Sequence, residues 1–222
     1  MSKQFAVIGL GLVGTSLVRT LNSLGYEVLA IDRDEDLIED LSDELPDVNL
    51  VAANVTERTV LRDLGLEQFD GAAVTIGEEN IEANILVTLI LKDLEVPLVF
   101  ARANDPLHAK VLERVGADHV VQPEKEFGEF LARQMASPGL QDYLELGDGE
   151  AVIELEVPQE WIDKSLTDLH LYDKKGLTVL AIKGENKGGT LPRPDTPFQE
   201  GDMLVIGGPK EELDKLDPST VV

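Results

Sequence analysis

At residues 5–14 the chain reads FAVIGLGLVG, in which an apolar strand runs into three glycines at the spacing G-x-G-x-x-G. Each glycine has its own physical reason in this pattern. Gly9 permits a tight turn, Gly11 lets the backbone approach a pyrophosphate closely, and Gly14 allows a helix to pack on the strand. A purely structural turn between strand and helix is the alternative, and the flanking sequence decides between the two.

The flanking sequence favours binding of an adenosine nucleotide. A helix predicted from Val13 to Leu24 would point its unpaired N-terminal amides at a phosphate. Asp32 follows the second predicted strand, where a carboxylate can accept hydrogen bonds from both hydroxyls of an adenosine ribose. Because an acid at this position disfavours a 2′-phosphate, NADP is not expected, despite the adjoining Arg33.

The composition limits the class of protein. The chain has 222 residues, 43% of them hydrophobic, which suffices for one sizeable core and a smaller second one. Cysteine is absent from the sequence, so disulfides, thiolate metal sites and a cysteine nucleophile are excluded. No stretch approaches the roughly 18 apolar residues of a membrane span, and residues 1–4 lead into the first strand without a signal-peptide core, so a cytoplasmic protein is expected.

The charge is strongly negative. Asp and Glu number 43 against 19 Lys and Arg, which gives a formal net charge of -24. Such a surface would repel a polyanion, and nucleic-acid partners are therefore not expected. A solvated acidic surface suited to a salty cytoplasm is favoured over an acidic docking patch.

Strands and helices alternate through residue 121. Strands are predicted at 5–8, 28–31, 48–53, 72–76, 98–101 and 118–121, and helices at 13–24, 34–45, 59–64, 79–94, 106–115 and 126–135. Short connections between them predict an α/β fold with a doubly wound, parallel, Rossmann-like sheet, because right-handed crossovers place helices on both faces. The last of these helices carries Phe127 and Phe130, which fit packing on another subunit or ordinary core packing.

Ligands in such sheets collect outside the carboxyl ends of the strands. That edge would hold Asn54, Val55 and Thr56 after the third strand, Ile76 at the end of the fourth strand and Gly77 after it, Arg102 after the fifth and Glu124 after the sixth. Each polar member has a simpler explanation: an Asx turn capping the next helix for Asn54, a solvated strand end for Arg102, and helix-dipole stabilisation for Glu124. A guanidinium at the position of Arg102 could also hold a phosphate.

The chain changes character after its last predicted parallel strand. A linker at 146–150 leads into a unit with strands at 151–157, 178–183 and 202–206 and short helices at 165–169 and 209–216. His170 is its only histidine, and no dyad of acid and base is recognisable. The predicted domains are a nucleotide-binding domain at 1–140, with a C-terminal dimerisation helix, and a small α+β domain at 141–222.

Several separated motifs resemble the RCK (regulator of potassium conductance, or TrkA-N) domain. They are GLG at 9–11, Asp32, NVT at 54–56 with Leu61 and LG at 64–65, VLERVGAD at 111–118, and QPEK at 122–125. The C-terminal part, from LTDL at 166–169 through GLTVLAI at 176–182 to GDMLVIGG at 201–208, is similar to the TrkA-C domain. The resemblance covers nearly the whole chain and points to the KtrA-type cytosolic regulatory subunits of bacterial potassium-uptake systems.

The resemblance implies a nucleotide sensor rather than a catalyst. In that family, RCK dimers assemble into a ring, commonly octameric, which docks on the cytoplasmic face of a membrane potassium-transport subunit. ATP favours the conducting state and ADP the closed one, and NAD or NADH can also occupy the site. Association with the membrane is then peripheral, through the partner.

The resemblance also implies residue roles. Asp32 would hold the ribose, the glycines the phosphates, residues 54–56 the adenine side, and Arg102 a phosphate charge. Glu124 matches a position that in KtrA-like proteins helps to bind a cation beside the nucleotide at the dimer interface, so Mg²⁺ or Ca²⁺ is expected there. The complete set of predicted nucleotide-binding residues is Gly9, Gly11, Leu12, Val13, Gly14, Asp32, Arg33, Asn54, Val55, Thr56, Ile76, Gly77 and Arg102.

Two positions depart from the family pattern. KtrA-type proteins often carry an arginine where this chain has Leu12, and there it reaches a terminal phosphate. The resemblance therefore does not imply that this chain discriminates strongly between ATP and ADP. Some relatives bind cyclic di-AMP through a basic residue near the position of Tyr172. This chain has Tyr172 followed by Asp173 there, so binding of cyclic di-AMP stays open.

An NAD-dependent oxidoreductase is the competing hypothesis. Residues 9–17 also resemble the opening of prephenate dehydrogenases, which transfer hydride to NAD. Those enzymes continue into a long all-helical domain that supplies a histidine, whereas this chain turns into a short strand-rich unit. A third class, a dinucleotide-responsive regulator without a membrane partner, stays open.

Overall fold

The protein is described from a computed structural model, which covers residues 3–136, 140–184 and 187–216. Contacts divide the chain into two compact units, Met1–Glu126 and Phe127–Val222. The domain boundary predicted after residue 140 stays a prediction. None of the helices in the described ranges combines the length and the apolar character that a bilayer crossing requires.

The first unit is a parallel sheet between helices. Its strands are β1 (Gln4–Ile8), β2 (Glu27–Asp32), β3 (Asn49–Ala52), β4 (Gly71–Val74), β5 (Val99–Arg102) and β6 (His119–Val121), and its helices are α1 (Leu12–Ser23), α2 (Glu35–Glu44), α3 (Arg58–Asp63), α4 (Ile81–Asp93) and α5 (Pro106–Val115). Helix α6 (Pro123–Ala136) starts here and runs into the second unit's residues. The strand order is β3-β2-β1-β4-β5-β6, with every neighbouring pair parallel. This order confirms the predicted doubly wound fold, and it reverses direction between β1 and β4, where ligands of such sheets bind.

Helices pack on both faces of this sheet, and successive side chains of a strand point to opposite faces. Val7 packs in one apolar cluster with Val28 of β2. Its neighbour Ile8 packs in the other cluster with Val74 of β4 and Leu91 of α4. The sheet thus lies between two apolar layers.

Helix termini at this edge are fixed by short polar side chains. The carboxylate of Asp34 accepts hydrogen bonds from the first backbone amides of α2, and that of Asp105 does the same for α5. Pro106 occupies the first turn of α5, and Gly116 ends that helix with a φ of +108°. Helices therefore begin at the carboxyl edge of the sheet, beside the strand ends.

The second unit is an antiparallel sheet with short helices. Its strands are β7 (Leu140–Gly147), β8 (Glu150–Glu156), β9 (Thr178–Gly184), β10 (Lys187–Thr190) and β11 (Met203–Pro209), in the order β10-β9-β11-β8-β7. Its helices are α7 (Leu166–Leu169), α8 (Leu171–Lys175) and α9 (Lys210–Leu213). The core of this unit includes Trp161, Phe198 and Ile206.

This unit is richer in strands than predicted. The stretch at 146–150 is not a linker but a hairpin turn between β7 and β8, with φ values of +90°, +52° and +82° at Gly147, Asp148 and Gly149. The prediction missed β7 because Gly and Asp suggest a loop, and a tight hairpin needs the same residues for their positive φ. The edge strand β10 and helix α8 were also missed, while the predicted helix at 209–216 is α9 followed by a 3-10 turn, Asp214–Leu216.

Candidate functional site

The glycine turn connects the end of β1 to the start of α1. Gly9 has a φ of +95°, and a Cβ there would lie 2.8 Å from the backbone N of Ile76. At Gly14 a Cβ would lie 1.9 Å from the carbonyl O of Gly9. Gly11 differs, since among the described residues no heavy atom lies within 4 Å of a Cβ built there. The turn and the packing thus require Gly9 and Gly14, whereas the space over Gly11 is open to a ligand.

Two hydroxyl groups hold the turn in place. The hydroxyl of Thr75, on a residue that is 7% exposed, donates to the carbonyl O of Gly9 at 2.5 Å and also lies 3.1 Å from that of Ile8. The hydroxyl of Thr15 donates to the carbonyl O of Leu10 at 2.7 Å. No role was predicted for Thr75; its only signal in the sequence is a hydroxyl near the end of a predicted apolar strand.

Asp32 links the glycine turn to the loop that starts α2. One carboxylate oxygen accepts from the backbone N–H of Leu10 at 2.6 Å, and the other accepts from that of Asp34 at 3.0 Å. Each oxygen retains a further lone pair. Asp32 is therefore fixed by the protein and can still accept hydrogen bonds from the hydroxyls of a ligand.

A cleft of about 320 Å³ lies over the carboxyl ends of β1 to β5. Among the predicted residues, its lining includes Gly9, Gly11, Asp32, Arg33, Asn54, Val55, Thr56, Ile76, Gly77 and Arg102. Ile8, Ile31, Asp34, Leu37, Thr75, Glu79, Asn80 and Ala83 also line it and were not predicted. The volume is at the lower end of the range for small-molecule sites, about 300–1,000 Å³.

Three predicted residues lie outside this lining. Gly14 is buried beneath the turn, and Val13 is half-buried in the first turn of α1. Leu12 is 94% exposed and lines a separate cleft of about 610 Å³ between α1 and α2. The described structure therefore gives Leu12 no contact with the cleft over the strand ends.

Residues 54–56 form an Asx turn at the rim of the cleft. The side-chain oxygen of Asn54 accepts from the backbone N–H of Thr56 at 3.3 Å and from its hydroxyl at 2.8 Å. The N-cap position of α3 is occupied by Glu57, whose side chain makes no capping hydrogen bond, and not by Asn54. The local turn explains the shape of this loop, and all three of its residues line the cleft.

Arg102 and Glu124 form an ion pair at the far end of the cleft. A terminal nitrogen of the Arg102 guanidinium bonds a carboxylate oxygen of Glu124, in the first turn of α6. The Arg102 side chain is 15% exposed and that of Glu124 is 55% exposed. Nε of Arg102 is buried and has no hydrogen-bond partner among the described residues. Arg102 is thus a mostly buried cation with a spare donor, not a solvated strand end.

Asn84 joins the end of β5, at Arg102, to the segment that follows β4. It is fully buried in α4, and its Nδ2 donates to the carbonyl oxygens of Ile76 and Arg102, each at 3.1 Å. Sequence reasoning missed it, although an Asn inside an otherwise apolar helix was a usable signal.

The cleft carries charges of both signs. Asp32, Asp34 and Glu79 contribute carboxylates, and Arg33 and Arg102 contribute cations. Within the described residues of one chain, no three His, Asp or Glu side chains cluster as metal ligands. Since Glu124 is engaged by Arg102, one chain by itself does not fit a divalent cation in this arrangement.

The residues do fit an adenosine nucleotide. A fixed carboxylate, Asp32, suits a sugar with two hydroxyls. The uncovered backbone at Gly11 suits phosphates, and the spare donor of Arg102 suits an anionic or hydroxyl-bearing group further along the cleft.

The sequence matches two known domain families. Residues 5–123 match the TrkA-N domain, and residues 151–219 match the TrkA-C domain. Ktr system potassium uptake protein A of Bacillus subtilis (strain 168) is 37% identical over 216 residues, which cover 97% of this chain and 96% of that protein. Ktr system potassium uptake protein A of Vibrio alginolyticus is 35% identical over 211 residues, or 95% of this chain and 94% of that protein.

Solved structures share the fold. The GsuK RCK domain superposes with a TM-score of 0.70 at 19% identity, over 100% of this chain and 48% of that one. The NAD(P)-binding domain of an exopolyphosphatase-related protein from Archaeoglobus fulgidus superposes with a TM-score of 0.53 at 27% identity, over 59% of this chain and 96% of that one. The chain belongs to the family that joins a TrkA-N domain to a TrkA-C domain, as the resemblance in its motifs predicted.

Proposed function

We propose that this chain is the nucleotide-sensing regulatory subunit of a potassium uptake system. The observation that carries the proposal is a cleft that joins the glycine turn, Asp32 and Arg102 in a chain whose relatives are potassium uptake proteins. The ligand is an adenosine nucleotide, either ATP or ADP, or NAD or NADH. Its binding shifts the population of subunit arrangements, which is how a ligand without chemistry can regulate a partner.

Two observations support a nucleotide in this cleft. The related domain from Archaeoglobus fulgidus is described as NAD(P)-binding. In the present chain, Asp32 stands where NADP would place a 2′-phosphate, so repulsion between the two anions favours NAD or another nucleotide with a free 2′-hydroxyl. A bound nucleotide supplies sugar hydroxyls and phosphate charge, and the protein supplies the groups that hold them.

The assembly we propose is a homodimer that builds a ring, with an octamer as the expected size. Helix α6 supports it, because Phe127, Leu131 and Met135 recur at intervals of four residues and are 60%, 40% and 82% exposed. Residues at that interval share one face of a helix, and an exposed apolar face favours contact with a second subunit. The ring would dock on a membrane potassium-transport subunit at the cytoplasmic face of the cell membrane, so that the chain is peripheral to the bilayer.

A divalent cation, Mg²⁺ or Ca²⁺, is part of the same proposal. One chain offers it only Glu124, which is paired with Arg102. A second subunit would have to supply further oxygen ligands, which these cations require in larger number.

The family assignment rules out the oxidoreductase hypothesis. The chain is related to Ktr system potassium uptake proteins A and C, and it is a regulator rather than an enzyme of the prephenate dehydrogenase type. The potassium-uptake experiment described below tests the third hypothesis, a regulator that has no membrane partner.

Nucleotide binding is tested by thermal denaturation of the purified chain with ATP, ADP, AMP, NAD and NADH, each with and without Mg²⁺ or Ca²⁺. At 100 times its dissociation constant, a ligand stabilises a protein by about 2.7 kcal/mol, which is easily seen. Asp32→Asn should abolish the shift, and Asp43→Asn, on the exposed part of α2, should retain it. Failure of every nucleotide to raise the melting temperature would refute the site.

The regulatory role is tested by potassium uptake into cells that lack their own uptake systems. The chain is expressed together with the Ktr-type membrane subunit of its own organism, and uptake should require both. Uptake that is the same with and without the chain would favour a regulator that acts elsewhere.

A further inference from the structure

The ion pair between Arg102 and Glu124 occupies the end of the cleft opposite Asp32. The strands β2, β1, β4 and β5 are hydrogen-bonded neighbours in this order. Asp32 and Arg102 are the last residues of β2 and β5, and the glycine turn and Ile76 follow β1 and β4. Neighbouring strands lie about 4.8 Å apart, so Arg102 is roughly 10 Å beyond the glycine turn and roughly 14 Å from Asp32. A nucleotide with its ribose at Asp32 and two phosphates at the turn therefore reaches Arg102 only with the group attached beyond its second phosphate.

The group beyond the second phosphate differs between the candidate ligands. In ATP it is a third, terminal phosphate, whereas in NAD it is an uncharged ribose with its nicotinamide. The charge at Arg102 consequently affects these ligands differently.

We infer that Glu124 masks the charge of Arg102, so that the terminal phosphate of ATP binds by displacing Glu124 from the guanidinium, whereas NAD binds with the pair intact. This inference rests on the proposed nucleotide site and adds to it the group that distinguishes a triphosphate from a dinucleotide. In the chain without a bound divalent cation, Glu124 then competes with the terminal phosphate of ATP for Arg102.

The charges at this end of the cleft favour displacement of Glu124 over an arrangement in which Glu124 and the phosphate both contact Arg102. Glu79 lines the same end: a Cβ built at Gly77 would lie 3.5 Å from Oε1 of Glu79 and 3.7 Å from Nη1 of Arg102. A phosphate beside Arg102 would therefore face two carboxylates if Glu124 stayed in place. Like charges at such short range repel one another strongly.

Release of Glu124 also costs little free energy. Its side chain is 55% exposed, so water can solvate the released carboxylate. Arg102, at 15% exposure, is the partner that needs a counter-ion, and the phosphate provides a stronger one.

The exchange would act on α6. Glu124 is in the first turn of that helix, which continues to Ala136. Loss of the pair removes a contact between β5 and the start of α6, whose exposed apolar face carries the proposed subunit contact. ATP and NAD would thus leave α6 in two different states.

The test is calorimetric titration of the full chain with ATP and with NAD, in EDTA so that no cation takes part. Glu124→Gln removes the competing charge and should raise the affinity for ATP about three- to tenfold while changing that for NAD less than about twofold. Glu113→Gln is the matched control, since α5 begins at the carboxyl edge of the sheet and Glu113 is in its last turn, at the opposite edge. It removes the same charge and should change neither affinity.

A second variant, Arg102→Gln, completes a double-mutant cycle with Glu124→Gln. In an Arg102→Gln background there is no guanidinium to mask, and the gain from Glu124→Gln should shrink to less than about half of its value in the wild-type chain. If Glu124→Gln fails to fold, Glu124→Asp, whose shorter side chain weakens the pair, should change the ATP affinity in the same direction.

An ATP affinity that falls or stays the same in Glu124→Gln, with NAD still bound, overturns the inference and leaves the proposed function intact. Equal gains for ATP and NAD overturn it as well. Failure of the wild-type chain to bind any nucleotide overturns the proposed function and the inference together.

Discussion

The hydroxyl of Thr75, at the end of β4, lies 2.5 Å from the carbonyl O of Gly9 and fixes the glycine turn from the neighbouring strand. The two residues are joined across the switch point of the sheet, where β1 and β4 are hydrogen-bonded neighbours. Thr75 is 7% exposed, so the bond is largely shielded from solvent, and loss of the hydroxyl would remove a donor from the Gly9 carbonyl.

Replacing Thr75 with valine should therefore lower the free energy of unfolding by about 1–3 kcal/mol, since the shape is kept and the donor is lost. Thr75→Ser keeps the hydroxyl and should cost less. Urea denaturation of the three proteins measures the difference. Equal stability of the valine and wild-type proteins would show that the bond contributes nothing.

The three glycines should respond differently to alanine. Gly14→Ala places a Cβ 1.9 Å from a backbone oxygen and should destabilise the fold by about 1–3 kcal/mol or more. Gly11→Ala meets open space and should change stability by less than about 0.5 kcal/mol. Its methyl group would stand where we place the phosphates, and nucleotide affinity should fall at least about tenfold, which is about 1.4 kcal/mol.

Chemical denaturation and nucleotide titration of both variants separate the two effects. A Gly11→Ala protein that binds nucleotide as well as the wild type would move the phosphates away from the turn. A Gly14→Ala protein of normal stability would contradict the close packing of α1 on the turn.

The first unit could be predicted from sequence because each of its local signals agrees with the global fold. Apolar strands end in Gly9 and Asp32, and residues that start or stop helices, such as Pro106 and Gly116, bound the helices between the strands. The strand ends then select most of the cleft lining by topology alone. Thr75 and Asn84 were missed because their roles depend on register and on which face of α4 is buried, and neither follows from residue type.

The second unit was predicted less well for a physical reason. Its turns and edge strand are made of Gly, Asp and Lys, which also compose solvent-exposed loops, so Gly147 to Gly149 fit a loop and a hairpin equally well. The pairing of Arg102 with Glu124 was also missed, since it joins residues from different elements. Sequence reasoning placed both at the same edge but could not say that they meet.

Asn84 should not tolerate a carboxylate. Asn84→Asp keeps the shape but leaves the carbonyl oxygens of Ile76 and Arg102 without their donor and brings a buried acid against them. The free energy of unfolding should fall by about 2–4 kcal/mol. The matched control is Asn80→Asp at the start of the same helix, where the side chain accepts from the backbone N–H of Ala83.

Aspartate caps a helix as well as asparagine does, so Asn80→Asp should change stability by less than about 0.5 kcal/mol. Each variant adds one negative charge, but Asn84 is fully buried inside α4, whereas Asn80 is the half-buried N-cap of that helix. Urea denaturation that found the two equally stable would rule out the bridging role of Asn84.

His108 should make the stability of the first unit depend on pH. It is 4% exposed, its Nδ1 accepts from the backbone N–H of Asn104 at 3.3 Å, and burial lowers its pKa below the ordinary value of 6.5. Below about pH 6.5 the unfolded chain therefore takes up a proton that the folded chain refuses. Stability should be fully present above that pH and should decrease as the pH falls toward the lowered pKa, by at most about 1.4 kcal/mol per pH unit.

Urea denaturation between pH 7.5 and 5.5 checks this expectation, because this interval lies at least about 1 unit above the usual pKa values of carboxylates, and most of them stay ionised across it. His108→Asn retains an acceptor near the position of Nδ1 and loses the titrating ring, so its stability should vary less with pH. His119→Asn, which removes an exposed ring that stacks on Phe100, is the control and should vary as the wild type does. A wild-type stability that rises as the pH falls through 6.5 would mean that His108 is protonated in the folded chain and is held by an acceptor at Nε2.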